Sequence, residues 1–498
     1  MANQKKSPKP TKNFGNKILD QTIDKLKALP WKYISLVLIT LFFFSFVAIL
    51  TYDSGHYLGY VSIFEGNAPA SSWDIVRGPV FPGIIYLFNV FFGKTNAGIL
   101  VGLFVFYLIF ICICYKILDE ICQNYKHKKL IKVIAFIILT LNPLIFGYFH
   151  VLLTEFVAIT ITMLNILMAY RWLFIKHNKK SLILYAVYFV FSTIFCYHLK
   201  QPYIIIAIIP PLTAAIISIV KNHRWKNILY RFGTIVVSGI FLLFSILAWN
   251  GILDKMGVDK NTGRDSASML GQQLLLAYQI PYDNDGDGEN DKVSTTEAVG
   301  IILNEFIKNP KKITKIYLQN YCGLTSMCEI TTPNGHDFFS TGNLVGLATY
   351  ENTFIGYSTF REEPNVSPMK EEMTARASVY EVNTYGKNIF AKFYDNLRIP
   401  SNVLFKIATV TYPIFLIFII IIHHKDKKRK YSKLFYLNII LLTTTAIHMI
   451  VSAGIGLIID RYAVEIVAPS LLGIFGSITY SYLILKNPIK EKFHGKKK

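Results

Sequence analysis

Six titratable side chains lie near what the sequence predicts to be one edge of a membrane. They come from four parts of the chain: Asp53, Arg77, Glu155, His198, Lys200 and Arg461. Cationic side chains at a membrane surface can hold a lipid-linked phosphate through charge-assisted hydrogen bonds. A carboxylate beside them can take a proton from an acceptor hydroxyl. These residue types predict the transfer of a sugar from a lipid phosphate, and the six residues are the candidates for the catalytic base and for substrate binding.

The elements that must position these residues are predicted to be membrane-spanning helices. The 498 residues are 52% hydrophobic and only 17% charged, with a mean hydropathy of +0.39, whereas a soluble domain carries about 25% charged residues. Runs without charge at 33–52, 201–220 and 466–485 match the roughly 20 residues that cross a bilayer core. Because backbone groups cannot bond to water in hydrocarbon, the fold class is an all-α polytopic membrane protein.

The apolar pattern predicts about ten spans. They fall at 33–52, 97–117, 132–149, 151–173, 181–199, 201–220, 232–250, 402–422, 435–456 and 464–485. The predicted regions are a basic tail (1–32), a transmembrane catalytic module of about seven helices (33–250), an external segment (251–400), about three C-terminal helices (401–485) and a second basic tail (486–498). The first apolar run is too long for a cleaved signal region and is interpreted as a retained anchor.

The distribution of charge predicts the orientation of these spans. The two tails and the short loops on their side hold 32 of the 52 Lys and Arg residues. The large segment 251–400 on the other side carries 19 acidic and 14 basic residues. Positive residues favour the cytoplasmic side, so both termini are predicted to be cytoplasmic. The formal net charge of +21 is therefore explained by membrane lipids as partners, and nucleic acid is not expected.

The first external loop, 53–96, contains an apolar stretch that is too short to span the membrane. Arg77-Gly78-Pro79 precedes it, and Pro82 lies at its start. The stretch 84–92 is rich in aliphatic and aromatic residues, which is typical of an interfacial or re-entrant helix.

The large external segment contains a candidate calcium loop. Acidic residues alternate at Asp283, Asp285 and Asp287, and Asp291 follows. Alternating hard oxygen ligands around a tight turn are what Ca²⁺ requires. The twelfth position holds Ser294 in place of the usual Glu, so the alternatives are a structural calcium ion at 283–291 or a solvated acidic turn.

Downstream of this loop the sequence predicts two helices and leaves one disulfide open. Ser294 and Glu297 form a capping box before a helical run that stops at Asn309-Pro310, and a second run follows at 311–321. Cys322 and Cys328 lie in a compartment where a disulfide is permitted, but one pair alone does not establish that they are bonded.

Several motifs resemble the GT-C membrane glycosyltransferases, most closely the dolichyl-phosphate-mannose–protein mannosyltransferase and aminoarabinose transferase branch. The similar stretches cover about 30–220 and 455–485. They are YDSGHYLGY from Tyr52, RGPVFPGIIYLFNVFFG from Arg77, NPLIFGYFHVLLTEF from Asn142, the Lys200-Gln-Pro turn and DRYAVEIVAPSLL from Asp460.

The resemblance implies a polyprenyl-phosphate-linked sugar as donor, transfer at the extracytoplasmic face and inversion at the anomeric carbon. The acceptor would be a glycan, a lipid or a protein. Asp53 matches the catalytic Asp of the family's first loop. Many members carry a second acidic residue directly after it, where this chain has Ser54. Use of a divalent metal at the catalytic site is therefore left open.

Two other functions fit parts of the pattern. A polysaccharide polymerase or ligase also uses lipid-linked glycans and a large external loop. A lipid-linked sugar transporter or flippase would be expected to show repeated halves and polar sites at the midplane, and the sequence shows no internal repeat.

Frequent Lys, Ile and Asn residues indicate an AT-rich bacterial genome, which favours undecaprenyl phosphate as the carrier and the cell membrane as the location.

Overall fold

The computed structural model describes most of the chain as helices. The described residues are 31–74, 77–123, 128–174, 179–222, 225–258, 266–282, 293–325, 354–355, 396–426, 431–455 and 460–494. The predicted calcium loop, with Asp283, Asp285, Asp287 and Asp291, lies outside them. So do Cys328 and most of the predicted tails.

The chain divides into two units, residues 1–46 and 47–498. In the first, α1 (Trp31–Phe43) has 13 residues and is therefore only about 20 Å long. The predicted span 33–52 is not one helix. Its last six residues belong to the other unit, where strand β1 (Leu50–Thr51) pairs in parallel with β2 (Phe354–Ile355).

The second unit contains sixteen helices within the described ranges. They are α2 (Tyr52–Phe64), α3 (Val80–Phe92), α4 (Asn96–Cys122), α5 (Lys128–Thr140), α6 (Pro143–Tyr148), α7 (Glu155–Phe174), α8 (Lys179–Leu199), α9 (Ile204–Asn222), α10 (Trp225–Lys255), α11 (Ser266–Ala277), α12 (Thr295–Lys308), α13 (Pro310–Leu324), α14 (Arg398–Val410), α15 (Tyr412–Lys425), α16 (Ser432–Gly454) and α17 (Val467–His494). Short 3₁₀ turns lie at Ala70–Ser72, Gln201–Tyr203 and Asp460–Ile466.

Among the described residues, seven helices are long and apolar enough to cross a membrane, and two further helices that meet at a bend would make an eighth span if they cross it together. The seven are α4, α7, α8, α9, α10, α16 and the segment Tyr462–Leu485, which includes most of α17. The prediction of a multi-pass helical protein is confirmed, whereas the predicted number of about ten spans is not.

The predicted span 132–149 is interrupted by Pro143. Helix α5 ends at Thr140 after 13 residues, and α6 begins at Pro143. The Asn142 side chain caps the new helix by accepting a hydrogen bond from the Leu144 backbone N–H at 3.0 Å. Proline disfavours the helical conformation of the preceding residue, which favours the break between α5 and α6 at this point.

The predicted span 402–422 is bent. Helices α14 and α15 meet near Thr411 at an angle of 54°. Pro413 lies in the first turn of α15, where its missing N–H would have had no partner inside the helix. The proline therefore favours a new helix start at this point.

The short apolar segment between α2 and α4 forms a helix, as predicted. Helix α3 has 13 residues and buries Phe81, Pro82, Ile85 and Phe88. Its length is about 20 Å, which is less than the roughly 30 Å of a bilayer core.

The described part of 251–400 contains three helices that pack on the end of α16. Ser294 caps α12 by accepting a hydrogen bond from the Glu297 N–H at 3.2 Å, and α13 begins at Pro310, as the sequence predicted. Hydroxyls of Tyr278 and Tyr317 donate to the Gly454 and Ile450 carbonyls at 3.1 and 3.2 Å. Burial raises the pKa of both tyrosines, so these hydroxyls stay protonated donors at neutral pH.

Candidate functional site

An extended stretch of backbone places the start of α2 beside the start of α7. The Ile49 N–H donates to the His150 carbonyl at 2.7 Å, and the Leu152 N–H donates to the Ile49 carbonyl at 2.9 Å. The Ser54 hydroxyl donates to the Leu152 carbonyl at 2.7 Å. Asp53 is the second residue of α2, so its backbone lies between these two attachments. Its side chain lies outside the described part of the chain.

Glu155 is the first residue of α7, and its side chain is only 1% exposed. The neighbouring Thr154 hydroxyl is 3.3 Å from Glu155 Oε2 and 3.2 Å from the hydroxyl of Tyr203. Tyr203 is also buried and lies at the start of the span that contains α9. These contacts connect the ends of two spans through three polar side chains.

Lys200 lies between the ends of α8 and α9 and is half-buried. Its Nζ donates to the hydroxyl of Tyr462 at 3.3 Å and lies 4.4 Å from the centroid of that ring. The Tyr203 ring centroid is 5.8 Å away. An ammonium group beside two aromatic rings is held by the rings' quadrupoles as well as by the hydrogen bond.

The segment Asp460–Ile466 brings a third part of the chain to the same place. A ring nitrogen of His448, on α16, lies 2.7 Å from the Tyr462 carbonyl and fixes this segment. Arg461 directly precedes Tyr462 in the chain, so its backbone is at the site, but its side chain lies outside the described part.

Glu465 is a site residue that the sequence interpretation missed. It is fully buried and interacts electrostatically with Glu155 and Lys200. Its two oxygens lie beside the Tyr203 hydroxyl, without hydrogen-bond geometry to it or to any other described group. Glu465 is the one acidic residue in the apolar stretch 462–485. The rule that an intramembrane charge marks a functional site, which singled out Glu155, could therefore have found it.

We call Glu155, Lys200, Tyr203, Tyr462 and Glu465 the acid–lysine cluster. The structure thus brings Glu155 and Lys200 together, as the sequence analysis expected. The two tyrosines were not predicted, because aromatic residues are frequent in this chain and nothing in their spacing distinguishes these two.

Arg77 lies in a neighbouring group of contacts, outside the acid–lysine cluster. Its Nη1 donates to the hydroxyl of Tyr57 at 3.1 Å, and its guanidinium carbon is 5.3 Å from that ring's centroid. Tyr57 lies one helical turn after Asp53 on α2. The Arg77 carbonyl accepts a hydrogen bond from Trp73 Nε1 at 2.8 Å, which orders the loop before α3.

Gly78 joins this loop to the end of α8. A Cβ atom on Gly78 would lie 2.0 Å from the carbonyl oxygen of His198, so only glycine permits this approach. The His198 ring points elsewhere, with Nε2 at 3.2 Å from the Ser245 hydroxyl on α10. His198 therefore positions the loop through its backbone. Its side chain, which was predicted to bind substrate, does not contact the acid–lysine cluster.

Chemically, the cluster offers one ammonium and two tyrosine hydroxyls for an anion and two carboxylates for a cation or a proton. Within the described residues there is no group of three or more His, Cys, Asp and Glu side chains that could hold a metal ion. Glu155 and Glu465 are the carboxylates that could contribute to such a site.

The described part of the segment 251–400 contains one disulfide-bonded cysteine, Cys322.

Comparison of the chain with protein-family models, with curated proteins and with solved structures found no match.

Proposed function

We propose that the chain is an integral-membrane glycosyltransferase. It would move a sugar from a polyprenyl-phosphate donor to an acceptor at the extracytoplasmic face, with inversion at the anomeric carbon. The observation that carries the proposal is the acid–lysine cluster: residues 155, 200, 203, 462 and 465 meet at the ends of spans, beside the backbone of Asp53.

Lys200 is the best-placed phosphate ligand among the described residues. Its ammonium is half-buried between two tyrosine rings, and the Tyr462 hydroxyl lies within hydrogen-bond distance of it. A partly desolvated cation attracts an anion more strongly than an exposed one, because the effective dielectric constant is lower. Its position at the end of a span matches the depth at which a lipid phosphate lies. Arg77 and Arg461 are the proposed further phosphate ligands.

The proposed reaction is a single displacement. The acceptor hydroxyl oxygen attacks the anomeric carbon from the face opposite the phosphate, while the Asp53 carboxylate takes its proton. The new glycosidic C–O bond forms as the bond from the anomeric carbon to the phosphate oxygen breaks. Polyprenyl phosphate leaves with the bonding electron pair, and Lys200 stabilises the charge on it. Asp53 then returns the proton to water.

The charge distribution and the candidate spans support the proposed location. The basic short loops support cytoplasmic termini in the cell membrane, so that the acid–lysine cluster opens to the extracytoplasmic leaflet. A bacterial source and undecaprenyl phosphate as the carrier are part of the proposal. The acceptor is a glycan, a lipid or a protein, and the calcium ion at 283–291 remains a proposed structural element.

The experiment is a transfer assay on the purified chain in lipid nanodiscs, with a labelled polyprenyl-phosphate sugar. We expect Asp53→Asn to insert and fold normally while losing transfer by about 100- to 10,000-fold, as is usual when a general base is removed. Asp119→Asn is the matched control, since Asp119 lies near the opposite end of α4 and pairs with Lys132. It should retain activity.

Three outcomes would overturn parts of the proposal. Full transfer by a correctly inserted Asp53→Asn variant would remove Asp53 as the base. Transfer from a lipid-linked oligosaccharide but not from a monosaccharide donor would favour a polymerase or ligase. Movement of the lipid-linked sugar across vesicles with no covalent change would show a transporter.

A further inference from the structure

Helix α12 has an apolar stripe that no other described part of the chain covers. Its members are Val299, Leu303, Phe306 and Ile307, which are 43%, 57%, 43% and 78% exposed. They are separated by three or four residues, so they lie along one side of the helix. This stripe is distinct from the packed side of α12, where Ala298 is buried and Ile301 and Ile302 contact the core of the three-helix group.

Lysines begin where the apolar stripe ends. Lys308 is the last residue of α12, and Lys311, Lys312 and Lys315 follow on α13. Lys312 pairs with Glu305 at 3.7 Å. Within the described ranges, the other three make no ion pair. Lys311 and Lys315 are one turn apart, and with Leu318 they line an open cavity on the surface of α13.

The attachment of these helices places them beside the end of a candidate membrane span. Tyr278 and Tyr317 bond to carbonyls in the last turn of α16, which is a candidate span. Helix α12 has 14 residues, or about 21 Å, so it is too short to cross the bilayer core. A helix at this height with an apolar side and flanking lysines has the composition of helices that lie in the membrane interface.

We propose that α12 and the first two turns of α13 bind the surface of an anionic lipid leaflet. The apolar stripe would lie at the boundary between headgroups and acyl chains. Lys311 and Lys315 would bind the phosphate of an anionic phospholipid headgroup in the cavity on α13 that they line together with Leu318. This binding site is separate from the acid–lysine cluster, and the inference does not depend on the proposed transfer reaction.

A lipid surface fits this face better than a protein partner does. The lysines complement the charge of acidic phospholipids, and each lysine near such a surface favours binding by about fivefold. The stripe also belongs to a group of helices that is hydrogen-bonded to the end of α16, a candidate membrane span. A soluble acidic partner or a second copy would not require such an attachment to a span.

The test uses the full chain in nanodiscs with an environment-sensitive fluorescent amino acid at position 307 or 304. Ile307 lies in the stripe, whereas Asn304 is an exposed polar residue on another side of the same helix. Brominated lipids quench such a probe on contact. We expect strong quenching at 307 and weak quenching at 304. Two nanodisc preparations contain phosphatidylglycerol and phosphatidylcholine in equal fractions, and a different one of the two lipids is brominated in each. Quenching of the probe should be stronger when the anionic phosphatidylglycerol carries the bromine.

Single lysine substitutions separate headgroup binding from simple proximity to lipid. Lys311→Gln and Lys315→Gln should each reduce the preference for phosphatidylglycerol by about fivefold. Lys312→Gln is the control, because Glu305 already balances its charge, and it should have a smaller effect. The inference is overturned if the probes at positions 307 and 304 are quenched equally weakly. It is also overturned if the fluorescence of the probe at 307 changes with protein concentration and not with the lipid, because this would show that a second copy covers the stripe. Equal quenching by both lipids would overturn the headgroup site alone.

Discussion

Replacement of Gly78 by alanine tests whether the first external loop really positions the acid–lysine cluster. The added Cβ would lie 2.0 Å from the carbonyl oxygen of His198 and 2.6 Å from its carbonyl carbon. Ordinary contacts begin at 3.4 Å, so the loop and the end of α8 must separate by about 1.4 Å. Both neighbours are backbone atoms, which cannot move aside as a flexible side chain can.

The cost of this substitution in unfolding free energy can be compared with the effect of a separate glycine-to-alanine change on the helix that follows the loop. Overpacking of this kind destabilises a protein by about 1–3 kcal/mol. Gly83 lies in α3, and a Cβ atom added there would have no other heavy atom within 4 Å, so Gly83→Ala gains about 1 kcal/mol of helix propensity. The two alanines should therefore differ by about 2–4 kcal/mol in unfolding free energy, although both add one methyl group five residues apart.

The difference should appear first as a shift in apparent melting temperature in detergent. We expect Gly78→Ala to unfold a few degrees below the parent chain and Gly83→Ala at or above it. Transfer activity gives a second readout, because Lys200 lies two residues after His198. A displacement of about 1 Å near a reacting group can reduce the rate by about 100-fold. Equal stability and equal activity of the two variants would refute the close contact between the loop and α8.

The remaining predictions concern one helix cap and one buried acid. Ser294→Ala should destabilise α12 by about 1 kcal/mol, because the Glu297 N–H loses its acceptor. Amide hydrogen exchange in the first turn of α12 should therefore become faster. Thr296→Ala is the control, since Thr296 lies in the same turn but does not cap it, and it should have little effect. Glu465→Gln should melt at or slightly above the temperature of the parent chain, because glutamine has nearly the same shape and the substitution removes no hydrogen bond to a described group. A large loss of stability would contradict this.

The sequence was most informative where a local rule acts alone. The capping box at Ser294, the stop at Asn309-Pro310 and the short apolar helix after Arg77 were all predicted from neighbouring residues and are present. The predicted number of about ten spans is not confirmed, because hydropathy measures how apolar a run is but not whether its backbone continues as a helix. At 132–149 a proline breaks the run, and after Phe43 the chain becomes extended and bonds to residues 150 and 152.

Proximity within the site was predictable only in part. Topology alone places Glu155 and Lys200 at one height. Their convergence through Thr154, Tyr203 and Tyr462 depends on helix rotation, which side-chain packing determines and which hydropathy does not encode. Gly78 illustrates the same limit, since its glycine is required by a contact 120 residues away in the chain.

The arrangement of charge within the cluster assigns different roles to the acids and to the lysine. Glu155 and Glu465 are 1% and 0% exposed, whereas Lys200 is half-buried, so Lys200 is the most accessible of these three side chains. A donor phosphate can therefore reach Lys200 more readily than either acid. Glu465 has no hydrogen-bond partner among the described groups, but it interacts electrostatically with Lys200. We therefore interpret both acids as residues that influence donor binding through Lys200 without contacting the donor. Glu465→Gln should accordingly change the KM for the lipid-linked donor more than kcat, whereas Asp53→Asn should reduce kcat at saturating donor. A Glu465→Gln variant with an unchanged KM and a reduced kcat would instead place Glu465 in contact with the reacting atoms.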